Sequence, residues 1–168
     1  STPLYRADRV RANGPWLNLR QEEDWEFDCR LASKGIALAM VSALVSDTRV
    51  APSERLSLGG SSDPALLKDR CIARMEILRH AIGAGIPPHD MYMQQFLNSS
   101  FLVARQAALV GLESESATLL KQLNAFDRDF ARGIFLLLGR TFGLGPFTRA
   151  AESARAAIRS FSGQRHSS

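Results

Sequence analysis

Apolar residues recur every three or four positions along most of the chain from residue 64 onward, which is the spacing of amphipathic helices. In the first such segment the apolar positions are Leu67, Cys71, Met75, Leu78 and Ile82. Asp63 is expected to cap this helix, and Pro64 suits its first position, where no backbone N–H is needed. The glycines and prolines of residues 83–88 are expected to end it.

Four more helices are predicted after this one. They cover residues 90–110, 114–123 and 126–142 and a last segment that begins at Pro146. Ser114 is an expected N-cap, and the strongly apolar residues 134–138 predict that their helix lies at the centre of the fold. Because the connections are short, the chain is expected to form an antiparallel bundle of about five helices over residues 61–161, before a disordered tail at 162–168.

The pattern before residue 60 is mixed. The predicted elements are helices over residues 5–13 and 22–34 and two short strands over residues 36–41 and 43–50. The glycines and serines of residues 59–62 mark a boundary. The predicted fold class is therefore mainly α, with a short α/β segment of about two strands over residues 1–60 followed by the helical bundle.

The composition is ordinary for a globular protein of one domain. The chain has 168 residues, of which 45% are apolar and 23% charged, and this excludes a wholly disordered chain. Cys29 and Cys71 lack a CxxC spacing and a neighbouring histidine, so we expect reduced thiols and no metal site. His80 is expected at the surface or in the C-terminal turn of its helix. No apolar run approaches the roughly 20 residues that span a bilayer, and no secretory signal opens the chain, so the expected location is the cytoplasm.

The net charge of +4 is concentrated at one end of the chain. From residue 140 onward there are five arginines and one acidic residue, Glu152, and the remainder is neutral. A basic end without an aromatic-interleaved Lys/Arg motif argues against a nucleic-acid partner. Arg149, Arg155 and Arg159 lie opposite the apolar stripe of the last helix, which favours core packing with a solvated basic face; peripheral contact with the inner face of the membrane is the alternative.

A series of short motifs in the first 35 residues indicates a candidate catalytic role. In chain order the motifs are Leu4-Tyr5-Arg6, Gly14-Pro15-Trp16, Glu23-Asp24-Trp25, Arg30-Leu31 and Gly35. Their order and spacing resemble the back half of the family 2 glycosyltransferases of the GT-A fold. Residues 101–106 and 111–116 resemble a C-terminal extension of some bacterial members, so the resemblance covers most of the chain.

The resemblance implies roles for four residues. Asp24 would be the general base that takes a proton from an acceptor hydroxyl as that oxygen attacks the sugar with inversion, an assistance typically worth ~10²–10⁴ in rate. Glu23 would bind the donor sugar or the acceptor, and Trp25 would pack against a sugar ring. Arg49 would approach the leaving diphosphate. From the residues alone, acids in a first helical turn also stabilise the helix by about 0.3–1 kcal/mol, without chemistry.

Two departures from the family pattern limit what this chain is expected to do alone. The family often has Arg-x-His where this chain has Arg49-Val50-Ala51, and its Asp-x-Asp metal motif is missing from the first twenty residues. Asp127-Arg128-Asp129 has the Asp-x-Asp spacing, but it lies at the start of a late helix and is expected to cap that helix. We therefore expect no cofactor in this chain, and a divalent cation, Mg²⁺ or Mn²⁺, in the full-length enzyme.

Two functions remain open from the sequence. The first is the acceptor-side part of an inverting glycosyltransferase that moves a sugar from a nucleotide-sugar donor to a saccharide or envelope-precursor acceptor, inactive as this fragment alone. The second is a helical module that binds a protein partner or a membrane surface without catalysis. The sequence upstream of this chain would distinguish the two functions. A nucleotide-binding fold there would supply the donor-binding half that this chain lacks and would support the enzyme.

Overall fold

The computed structural model describes residues 4–36 and 63–164. The elements are α1 (Ala7–Asn13), α2 (Glu23–Ser33), α3 (Pro64–Gly83), α4 (Met91–Leu109), α5 (Glu113–Phe126), α6 (Phe130–Phe142) and α7 (Leu144–Gln164). Asp63 caps α3 as expected, since its carboxylate accepts a hydrogen bond of 2.8 Å from the backbone N–H of Ala65. Asp90 and Asp129 cap α4 and α6 in the same way.

The prediction of an α/β segment with two strands is wrong. The residues that the structure describes form seven helices and no strand. The physical reason lies in α2, which packs on α3 and pairs its acidic side chains with basic residues there, so this segment joins a helical array and not a sheet. The predicted strands at 36–41 and 43–50 and the boundary at 59–62 lie outside the described residues, except Ile36, which is in neither a helix nor a strand.

The core is built around α4, which packs against α3, α5 and α7. The core side chains that these helices contribute are mostly leucine, alanine and valine. They include Leu78, Leu97, Val103, Ala104, Ala107, Leu119, Leu120 and Leu123. Small alanines on α4 let the neighbouring helices approach closely, while leucines of α5 fill the space between them. The helical bundle predicted from residue 63 onward is compatible with this arrangement.

Two local predictions about α5 and α6 are wrong. Ser114 lies inside α5 and is not its cap; the N-cap position is Leu112, which has no capping side chain, and acids at 113 and 115 occupy the first turn. The helix predicted over 126–142 begins only at Phe130, and it lies at the edge of the fold, where Leu137 and Phe142 are exposed. The apolar composition predicts a helix here, but it does not show which side of that helix packs against the core.

Candidate functional site

The acidic residues at the start of α2 form the candidate site, and the structure gives most of them a partner. Glu22 lies between two arginines of α3: its carboxylate accepts hydrogen bonds from Arg70 Nε at 3.0 Å and from Arg74 Nε and Nη2 at 2.7 and 3.0 Å. Its backbone is left-handed, with φ of 62°, which is unfavourable for a residue with a Cβ. The double ion pair holds the entry of α2 against α3.

Arg74 connects this ion pair to two aromatic rings. The guanidinium carbon lies 4.4 Å from the ring centre of Trp25 and 5.5 Å from that of Phe96, and Nη1 donates to Ser99 Oγ at 2.7 Å. Arg74 is only 5% exposed, so these contacts replace most of the water around its charge. The ring of Trp25 is thereby held in a fixed orientation while 38% of the residue remains exposed.

Glu26 and His80 form a buried pair between α2 and α3. Glu26 Oε1 lies 2.8 Å from His80 Nε2, which donates to the carboxylate, and Glu26 Oε2 accepts from Arg30 Nη2 at 2.9 Å. Arg30 also donates to the carbonyl oxygens of Asn13 and Pro15, which fixes the loop between α1 and α2. His80 lies in the last turn of α3, which is one of the two positions predicted for it, and the other, at the surface, is wrong because its ring pairs with Glu26 in the α2–α3 contact, where His80 is 7% exposed.

An aromatic cluster lies beside the next turn of α2. The Trp16 ring stacks on Phe27 at 4.2 Å between ring centres, and Tyr5 meets Phe27 edge-on at 5.3 Å. The Tyr5 hydroxyl donates to Asp28 Oδ1 at 2.6 Å. Burial, this hydrogen bond and the negative charges of Asp28 and Asp24 all raise the pKa of the Tyr5 phenol above its ordinary value.

Asp24 and Glu23 are the acidic residues at the start of α2 whose side chains do not hold the helix against the rest of the fold. The Asp24 side chain is exposed, and its Oδ1 accepts a hydrogen bond of 2.7 Å from the backbone N–H of Trp25. Neither acid forms an ion pair within the described part of the chain, whereas Glu22 and Glu26 each do. An accessible carboxylate beside an oriented aromatic ring can accept a proton from a ligand that lies against that ring.

The structure brings three of the four predicted site residues together and does not describe the fourth. Glu23, Asp24 and Trp25 form the first turn of α2, and Arg49 lies outside the described residues. Sequence reasoning missed Arg74. The sequence does contain a signal for it, because Arg70 and Arg74 lie one helical turn apart on α3. Two arginines at this spacing can bind one carboxylate.

The remaining titratable groups do not extend the site. Within the described ranges, no three or more His, Cys, Asp or Glu side chains group as metal ligands would. Burial, reinforced by nearby carboxylates, raises the pKa values of the Cys29 and Cys71 thiols to about 11, so both are protonated at neutral pH. No described helix combines the length and the apolar character needed to cross a bilayer. No family model, curated protein or solved structure matches the chain.

Proposed function

We propose that this chain is the acceptor-side part of an inverting glycosyltransferase, with Asp24 as the general base. The proposal rests on the resemblance of residues 4–35 to the family 2 enzymes and on one observation about the acids of α2. Glu22, Glu26 and Asp28 are each held by a side chain that packs the helix, whereas Asp24 is exposed and forms no ion pair with any residue that the structure describes. A base that acts on a bound ligand has to be free in this way.

The position of Asp24 suits the proton transfer. As the acceptor hydroxyl oxygen bonds to the anomeric carbon, the bond from that carbon to the diphosphate oxygen breaks, and the nucleoside diphosphate leaves with the electron pair. The hydroxyl proton passes to the Asp24 carboxylate and later to water. The hydrogen bond from the Trp25 backbone N–H fixes the orientation of the carboxylate without neutralising it.

Trp25 and Glu23 supply the binding side of the proposal. A sugar ring presents a face of C–H groups that packs against an aromatic ring, and the exposed part of Trp25 offers such a surface next to Asp24. Arg74 lies over the indole ring and keeps it from turning. Glu23, one residue before Asp24, accepts hydrogen bonds from sugar hydroxyls. The Mg²⁺ or Mn²⁺ that the resemblance implies has no ligand set among the described residues, so the steps proposed for this chain involve no metal.

The proposal is tested with the complete protein that contains this chain. The purified protein is incubated with a panel of nucleotide sugars and saccharide acceptors, and release of nucleoside diphosphate is measured. We expect turnover with at least one donor and a product of inverted anomeric configuration by NMR. We expect the Asp24→Asn variant to lose turnover but no more than about 1 kcal/mol in the free energy of unfolding, which is the contribution of an exposed acid in a first helical turn.

Asp8→Asn is the matched control. Asp8 is also an exposed aspartate in the first turn of a helix, and its substitution removes the same charge. We expect this variant to retain turnover. Full turnover in Asp24→Asn would remove Asp24 from the role of base. A complete protein without turnover on any donor would contradict the enzymatic proposal and favour the alternative of a helical module without catalysis.

A further inference from the structure

One face of α6 is apolar and open to solvent. The exposed positions 131, 134, 137 and 141 recur every three or four residues, so they lie along one side of the helix. Leu137 is 63% exposed and Phe142 65%, and Ile134 is also exposed, whereas Phe135 on the opposite side is buried in the core. The polar Thr141 on this face already donates its hydroxyl to the Leu137 carbonyl oxygen at 3.2 Å.

The surroundings of this face are basic. Arg128, Arg140 and Arg149 are exposed, and none of them has an acidic side chain within ion-pair distance in the described part of the chain. Glu152 forms an ion pair with Arg105 of α4, so its charge is already matched inside the fold. Arg128, just before α6, and Arg140, in its last turn, therefore place positive charge at both ends of the exposed apolar side chains, whereas the acids Asp127 and Asp129 lie against Arg132.

The geometry points to an anionic membrane surface as the partner of this face. An exposed apolar stripe with arginines beside it matches the requirements of a helix that lies in the lipid interface, where the side chains enter the headgroup region and the arginines meet lipid phosphates. The exposed charges of Arg128 and Arg140 complement an anionic leaflet. Contact of this kind is peripheral and needs no spanning helix. The inference concerns α6 and is independent of the role of Asp24.

The test measures binding of the 168-residue chain to vesicles. The chain is sedimented with vesicles of phosphatidylcholine alone and with vesicles of phosphatidylcholine and phosphatidylglycerol at a ratio of about three to one. We expect binding to the anionic vesicles that weakens as salt increases. The Ile134→Ser/Leu137→Ser double variant is expected to bind about tenfold more weakly or worse, because it removes apolar burial. Arg128→Gln and Arg140→Gln are each expected to weaken binding about fivefold.

Leu102→Ser is the matched control, because Leu102 is 50% exposed but lies on α4. We expect this variant to bind like the unmodified chain, and thermal unfolding of all variants confirms that the exposed substitutions leave the fold intact. Absence of binding to anionic vesicles would overturn the inference, as would equal binding by the α6 double variant. A dimer in sedimentation velocity that the double variant abolishes, without vesicle binding, would assign the face to a second copy of the chain and overturn the membrane assignment.

Discussion

Glu22→Gln is the substitution that tests the α2–α3 contact most sharply. The neutral side chain cannot balance the charge of Arg74, whose Nε lies 2.7 Å from the carboxylate and whose side chain is 7% exposed. Arg70, at 3.0 Å, loses the same partner but is more open to solvent. The variant therefore leaves a largely buried guanidinium without a counter-ion among the described residues, and the single amide oxygen of glutamine replaces two carboxylate oxygens that accept three hydrogen bonds.

The magnitude follows from the burial of the two partners. Removing one member of a fully buried ion pair costs about 3–5 kcal/mol. Glu22 keeps 16% of its side chain exposed, and Arg74 retains its aromatic contacts, so we expect a loss of about 2–3 kcal/mol in the free energy of unfolding. For a chain of this size that corresponds to a fall of about 4–12 °C in the unfolding midpoint.

Urea unfolding followed by circular dichroism measures the loss, and Glu76→Gln is the control. Glu76 pairs with Arg79 at 2.6 Å, but the side chains are 35% and 65% exposed, so we expect its loss to stay within about 0.5 kcal/mol. A loss as small for Glu22→Gln would refute the idea that this carboxylate holds the contact. The left-handed backbone adds a second comparison: Glu22→Gly is expected to be about 1 kcal/mol more stable than Glu22→Ala.

Two further predictions concern α6 and the thiols. Gly139→Ala is expected to destabilise the fold, because a Cβ there would lie 2.2 Å from the buried Leu144 side chain. Gly133→Ala is expected to gain up to about 1 kcal/mol in helix propensity, because its Cβ would meet its nearest atom at 3.5 Å. Equal unfolding midpoints for the two variants would contradict this contrast. Because burial raises the pKa values of Cys29 and Cys71 to about 11, their contribution to stability is complete below the ordinary thiol value of 9.0 and is lost as the pH rises toward 11. At pH 8 the folded chain should therefore react with a thiol-specific disulfide reagent about a hundredfold more slowly than the urea-unfolded chain, and equal rates would count against the burial of both thiols.

The helices were the part of the fold that local signals could predict. Asp63 and Pro64 identify the start of α3 because capping depends on residues within one turn of each other. The cap of α5 was mistaken because Ser114 has a suitable side chain but lies inside the helix, where Leu112 takes the cap position. Residue type alone does not fix the backbone conformation that makes a cap.

Contacts between distant segments could not be predicted in the same way. The partners Glu26 and His80 are separated by 54 positions, and neither residue type signals that the other faces it. The exposed side of α6 was unpredictable for a related reason, since an apolar helix fits a central and an edge position equally well until its neighbours are known. The same holds for the candidate site, because only the structure separates the acids that hold α2 from Asp24, which remains exposed.

The turnover number of Asp24→Asn, measured in the complete protein at saturating donor and acceptor, tests the central claim most directly. Loss of a general base predicts a fall of ~10²–10⁴ in kcat, with a loss of no more than about 1 kcal/mol in the free energy of unfolding and with the kcat of Asp8→Asn at the level of the unmodified protein. A kcat for Asp24→Asn within about threefold of the unmodified enzyme would contradict the assignment, because a base that contributes to the transition state cannot be removed at so small a cost.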